Sequence, residues 1–327
     1  MNIISNVASA RKIAFVFPGQ GSPKVGMGKI LYDRYPVARD MFKRANEALK
    51  FDIQKICFEG PDETLILTQN TQPAILTVSI IASELLKERG ITPSMVAGHS
   101  LGEYSALVTA GVISFEDAVK LVHLRGKFMQ EAVEPGIGSM SAVMGLDLSV
   151  VKAICEGVSK DGFGVVQVSN INTQEQVIIS GHAKAVDEAA LRCQTSGAKR
   201  VIPLEVSAPF HCSLMEPAAL KLTFELPKII FNEPFIPVVA NVTADCVKTA
   251  AEIRKLLIRQ VAEPVRWQET VERLIRIEGI NTFVEVGPGK ALSNMIKKIA
   301  GGIEGITILN VEDEDSLNKT SEVLLQK

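Results

Sequence analysis

The sequence predicts an α/β protein, with a large domain built on a parallel sheet and a ferredoxin-like subdomain inserted into it. Three observations carry this expectation. A short apolar run, Ile13 to Phe17, stops at Pro18-Gly19-Gln20-Gly21-Ser22, as a buried strand opening into a tight loop does. A second strand, Met95 to Ala97, enters a sharp turn at Gly98 to Gly102 and leaves it as an apolar helix, an order typical of parallel α/β architecture. From about Ser139 to Leu204 the rhythm changes to β-α-β-β-α-β.

The elements follow in chain order. Ala74 to Arg89 carries apolar residues at helical spacing, and Ile91-Thr92-Pro93 breaks that helix before the second strand. The helix after the turn ends near Gly111. The inserted unit reads as strand Met140 to Gly145, helix Leu148 to Ser159, strands Gly164 to Asn170 and Gln176 to Ser180, helix Ala183 to Thr195, and strand Lys199 to Leu204. The large domain then comprises residues 1–138 and 206–327, and the insert residues 139–205. Pro237 to Asn241 and Thr282 to Val286 supply further buried strands, and Ala251 to Val261 and Trp267 to Ile277 read as helices. Long-period repeats and low-complexity tracts are absent from the sequence.

Composition narrows the function class. A chain of 327 residues with 46% hydrophobic and 22% charged residues has enough apolar surface for a sizeable core. Its 35 lysines and arginines nearly cancel 37 aspartates and glutamates, a balance that argues against nonspecific nucleic-acid binding. Five cysteines (Cys57, Cys155, Cys193, Cys212, Cys246) lie far apart without a C-x-x-C pair, which fits a reducing cytoplasm. Met1 to Lys12 lacks the apolar centre of a secretory signal and is too polar for a membrane helix. Monomer is the default oligomeric state.

Gly98-His99-Ser100-Leu101-Gly102 matches G-x-S-x-G, in which a sharp strand-to-helix turn exposes a serine hydroxyl in the manner of an α/β-hydrolase-like domain. The free N–H groups at the start of the next helix favour negative charge developing on an attacked carbonyl. Such a hydroxyl needs a base, and there are four histidines. His99 adjoins the serine and points away from it; His123 sits among Val119, Leu121, Val122 and Leu124 as a structural helix residue; His182 starts a subdomain helix, in a capping or solvent position. His211 remains, in Pro209-Phe210-His211-Cys212, on a loop at the domain junction. Cys212 is a weaker nucleophile candidate, since adjacent side chains rarely point together. No aspartate stands out to orient the base. Arg125 is a solvated helix charge or a buried fork for a substrate carboxylate, and helical position alone favours the former. Gly19-Gln20-Gly21 and Gly287-Pro288-Gly289-Lys290 are incomplete as phosphate-binding loops, so neither supports a nucleotide cofactor.

Together these residues resemble the malonyl-coenzyme A:acyl-carrier-protein transacylase family of bacterial fatty acid synthesis, from about Ile13 to near Ile308. The resemblance rests on Phe17 to Ser22, Gly98-His99-Ser100-Leu101-Gly102-Glu103-Tyr104, Arg125-Gly126 with Met129-Gln130, Pro209-Phe210-His211, Pro264-Val265-Arg266-Trp267 and Glu285-Val286-Gly287-Pro288-Gly289. It implies a nucleophile at Ser100, a base at His211, and an oxyanion hole from the N–H groups of Gln20 and Leu101. It also implies that Arg125 pairs with the malonate carboxylate, that the main-chain carbonyl of Gln260 orients the histidine, and that Asn170 and Asn172 face the cleft. Phe210, beside His211, is expected to crowd an α-methyl group. Malonyl-CoA is then a substrate rather than a cofactor, and acyl carrier protein the partner. A free-standing loader for a polyketide synthase, a serine thioesterase or hydrolase, and a catalytically silent carrier-binding protein are the alternatives. Lys290, Lys297 and Lys298 are candidate basic contacts to an acidic carrier.

Overall fold

The computed structural model describes residues 11–21 and 23–326. The sequence readings on Met1 to Ala10 and on Ser22 lie outside the described residues.

β1 (Ile13–Phe17) is followed by a helical layer: α1 (Lys29–Arg34), α2 (Pro36–Leu49), α3 (Ile53–Glu59), α4 (Asp62–Leu65) and α5 (Thr68–Glu88). β2 (Met95–Gly98) then leads through the Ser100 turn into α6 (Leu101–Thr109) and α7 (Phe115–Gln130). Helix α5 is buried on nearly every side, as expected of an apolar helix at the centre of a layer. It starts six residues earlier than the apolar spacing predicts and carries Pro73 in its interior. Proline removes one N–H and leaves the carbonyl four residues back without its helical donor, which is why it reads as a breaker. Here His123 on α7 supplies the missing donor, its Nδ1 lying 2.8 Å from the Gln69 carbonyl.

The insert contains β3 (Gly138–Met144), α8 (Leu148–Lys160), β4 (Val166–Thr173), β5 (Gln176–His182), α9 (Ala183–Thr195) and β6 (Arg200–Pro203). Its antiparallel sheet has the order β4-β5-β3-β6, with both helices packed on one core of Val143, Val151, Val168, Ile179 and Val186. This is the ferredoxin-like arrangement. His182 precedes α9 but does not cap it; its Nδ1 accepts from Val165 N at 2.9 Å and pins the start of β4.

The chain returns through α10 (Glu216–Glu225), β7 (Val238–Val239), β8 (Cys246–Val247), α11 (Ala250–Gln260), α12 (Trp267–Arg276), β9 (Thr282–Val286), α13 (Ala291–Ala300), β10 (Thr307–Val311) and α14 (Glu314–Leu325). The large sheet has the order β10-β9-β1-β2-β7-β8, parallel except for the β7–β8 pair. Its inner strands β1, β2 and β7 carry no polar side chain because helices cover both faces. Buried Glu285, on β9, accepts from Leu292 N at 3.0 Å and Ser293 N at 2.7 Å, so the glycine loop between them serves the start of α13. The two sheets meet where Val265 N donates to Ser169 O and Ile171 N to Val265 O, both at 2.9 Å. Among the described residues no helix is long and apolar enough to cross a membrane.

Candidate active site

Parallel strands present their carboxyl ends at one edge of a sheet, and ligands of open α/β folds gather there. The loops leaving β1 and β2 lie side by side at that edge. A side chain at Gly102 would put its Cβ 2.0 Å from Phe17 O, and one at Gly19 would sit 2.7 Å from His99 O. These close approaches demand glycine and bring Gln20 beside the turn that carries Ser100.

Ser100 has φ 52° and ψ −108°, a conformation that is costly for a residue with a Cβ and typical of a nucleophile held up by its turn. Asn241, just after β7, fixes it: Asn241 Oδ1 accepts from Ser100 N at 2.7 Å while Nδ2 donates to Gly98 O at 2.6 Å. The Oγ lies 2.7 Å from His211 Nε2, and His211 Nδ1 lies 2.7 Å from Gln260 O. A carbonyl only accepts, so Nδ1 carries the proton in the neutral ring and Nε2 is left to accept from the serine hydroxyl. Burial, followed by the charge of Arg125, pushes the imidazole down to about 3. A neutral imidazole is thereby held against a hydroxyl, with a carbonyl where many triads have a carboxylate.

Arg125 corrects the expectation drawn from helical position: it is 1% exposed rather than solvated. Its Nη1 donates to Gln72 Oε1 at 2.8 Å, and its Nη2 to Gln260 Oε1 at 3.0 Å and Ser100 Oγ at 3.1 Å. Tyr104 lies under the guanidinium, 5.3 Å from ring centroid to Cζ, and Nε has no partner among the described residues. A buried cation with a free donor beside a serine hydroxyl is suited to an anionic group.

Of the remaining candidates, Leu101 is buried at the first position of α6, and neither its N–H nor that of Gln20 has an acceptor among the described residues. The Gln20 side chain is anchored by donating to Thr68 Oγ1 at 3.0 Å. Asn170 and Asn172 are buried where the small sheet meets the large one. Asn172 Oδ1 lies 2.9 Å from His99 Nε2, and Asn170 Oδ1 accepts from Ser169 Oγ at 3.0 Å. Phe210 is buried in the main core. The structure thus draws Ser100, His211, Arg125 and Gln260 into one hydrogen-bonded cluster and leaves the two asparagines and Phe210 outside it.

Sequence reasoning gave no role to Gln72, Glu103 or Asn241. Glu103 was visible as a charge in an otherwise apolar helix, three residues after the serine; the glutamine and asparagine carry no local signal. Lys290 lies 3.6 Å from Glu312 with its side chain exposed.

Residues 14–311 match the family model described as the acyl transferase domain. The chain belongs to that family. It is 48% identical over 301 residues to the malonyl CoA-acyl carrier protein transacylase of Bacillus subtilis strain 168, covering 92% of this chain and 94% of the relative. The Escherichia coli K12 protein of the same description is 48% identical over 289 residues, covering 88% and 93%. Among solved structures, the malonyl CoA-acyl carrier protein transacylase from Coxiella burnetii superposes with a TM-score of 0.92 at 41% identity, covering 97% of this chain and 98% of that one. A malonyl-transacylase in complex with its type II PKS acyl-carrier protein gives 0.91 at 43% identity, covering 95% and 99%.

Proposed function

We infer that this member of the acyl transferase family moves the malonyl group from malonyl-CoA to the phosphopantetheine thiol of acyl carrier protein in fatty acid synthesis, through an ester on Ser100. The observation that carries the assignment is the buried Arg125 fork within hydrogen-bond reach of a serine that is also paired with a neutral histidine.

In the first half-reaction Ser100 Oγ attacks the thioester carbonyl as its proton passes to His211 Nε2. The N–H groups of Gln20 and Leu101 receive the oxyanion. The C–S bond breaks, and the departing sulfur takes the proton from Nε2. In the second, the carrier thiol gives its proton to Nε2 and attacks the ester; the C–O bond breaks and the proton returns to Ser100. Gln260 O holds the imidazolium between these steps, and Arg125 pairs with the malonyl carboxylate throughout. Asn170 and Asn172 line the cleft from the small subdomain, residues 139–205, set within the large domain of residues 1–138 and 206–327. Phe210 crowds an α-methyl group, and faster methylmalonyl transfer in Phe210→Ala is the check. The reaction requires no resident cofactor. Five free cysteines, four of them buried, support a cytoplasmic location.

Incubation with malonyl-CoA and holo acyl carrier protein tests this reading: the carrier gains the malonyl group faster than free malonate appears. Malonate release at the same rate would make the protein a hydrolase. Loading of a polyketide carrier is the second reading, favoured by the likeness to a transacylase solved with such a carrier; parallel rates with carriers of the two kinds decide between them.

A further inference from the structure

Glu103 lies one turn after Ser100 on α6, is 2% exposed, and has no task in the mechanism above. Its Oε2 accepts from Gln260 Nε2 at 2.8 Å and from Asn241 N at 3.0 Å. The Gln260 carboxamide has two unlike ends. The Nε2 end sits among acceptors, with Ser100 O at 3.0 Å and Asn241 Oδ1 at 3.5 Å besides the glutamate, while Oε1 accepts from Arg125 Nη2 at 3.0 Å. Turned by half a revolution, the amide would set its NH2 against a guanidinium, which only donates, and its oxygen against an ionised carboxylate, which only accepts. Ionised Glu103 therefore permits one orientation.

We propose that Glu103 is a positioning residue for substrate selection: its carboxylate fixes the Gln260 side-chain amide, and that amide holds the Arg125 guanidinium toward Ser100. Without the Gln260 oxygen, Arg125 keeps Gln72 at Nη1 and only the reacting hydroxyl at Nη2. His211 is held separately, by the Gln260 main-chain oxygen at the end of α11, which does not turn with the side chain. A freed amide thus weakens recognition of the acyl carboxylate more than it disturbs the Ser100–His211 pair. The inference rests on the reading of Arg125 as the malonate fork.

The ionisable groups that act on Glu103 are Arg125 from α7 and Tyr104 from its own helix, with uncharged Gln260 and Asn241 bonded to its carboxylate, and His211 lies beyond Gln260. Burial pushes Glu103 up to about 7, opposed by its bonds from Asn241 and Gln260 and by the Arg125 charge. Burial also pushes Tyr104 up to about 12 and His211 down to about 3, and it lowers His99, while Arg125 remains a cation. Glu103 is therefore the group of this cluster that changes charge near neutrality.

The test is the ratio of kcat/KM for malonyl-CoA to that for acetyl-CoA, measured across roughly pH 5.5 to 8.5 in the wild type, Glu103→Gln, Gln260→Leu and the double variant. The ratio falls about tenfold in Glu103→Gln and by a similar factor in Gln260→Leu, and the double variant is no worse than the worse single, because both act through one amide. In the wild type the ratio drops as pH is lowered through about 7, and in Glu103→Gln it is flat. Lost packing alone would slow both substrates together and would not titrate. An unchanged ratio in Glu103→Gln, additive losses in the double variant, or a wild-type ratio independent of pH overturns the proposal. If Arg125→Ala also leaves the ratio unchanged, the malonate-fork reading falls with it; if Arg125→Ala lowers the ratio and Glu103→Gln does not, this inference alone fails.

Discussion

Replacing Arg125 with alanine separates recognition of the acyl group from the chemistry of its transfer. The guanidinium is 1% exposed and reaches Ser100 Oγ, so a malonyl carboxylate bound there meets a desolvated, fixed cation. Leaving one member of a buried charge pair alone costs roughly 2 to 5 kcal/mol, which at 1.36 kcal/mol per tenfold is about 30-fold to 5,000-fold in the malonyl-to-acetyl ratio of kcat/KM. Acetyl transfer should fall less, because His211 and the oxyanion donors remain. Truncation also strips partners from Gln72 Oε1 and Gln260 Oε1, at about 1 to 3 kcal/mol each in fold stability. The assay is therefore carrier loading from each thioester, with thermal melting alongside to confirm that the variant is folded at the assay temperature. Arg125→Lys should fall between, since it keeps the charge and loses the two-pronged geometry. Equal loss of malonyl and acetyl transfer in a folded Arg125→Ala protein would refute the role assigned to this residue.

The base should stay neutral well below neutrality. A histidine lowered to about 3 in the folded protein becomes protonated only below that value, so acetyl transfer shows no acid limb between about pH 5 and 8; a limb near 6.5 would mean that the imidazole is solvated. Gly102→Ala places a Cβ 2.0 Å from Phe17 O and 2.7 Å from Phe17 C, backbone atoms that cannot yield without moving β1. That variant should lose about 3 kcal/mol or more of stability, seen as a large fall in melting temperature or as insoluble protein. His123→Ala leaves the Gln69 carbonyl without the donor that compensates Pro73, and should cost about 1 to 3 kcal/mol in denaturant unfolding while the malonyl-to-acetyl ratio holds.

How much of this was legible in the sequence depends on the range of the interaction concerned. The Ser100 turn is local: a strand, two glycines and a helix start are all written within a few residues of it. The insert was legible for the same reason, since amphipathic α8 and α9 and the short strands around them repeat a pattern visible in single windows. The start of α5 was not, because Pro73 is a breaker by every local rule and its compensation comes from His123, 50 positions away. The state of Arg125 was likewise hidden. A charge on a helix reads as solvated by default even with apolar Val122 and Phe128 beside it, and the groups that satisfy it, Gln72 and Gln260, come from two other helices. Assigning the histidine's partner to a main-chain carbonyl required the family resemblance, since a carbonyl leaves no signature in side-chain identity.

The most direct test of the central claim is intact mass followed by peptide mapping, after mixing the protein with malonyl-CoA and no acceptor. A persistent malonyl adduct on Ser100 is expected, one that disappears when carrier is added and is absent from Ser100→Ala. An adduct on another residue, or free malonate accumulating with no adduct, would contradict it.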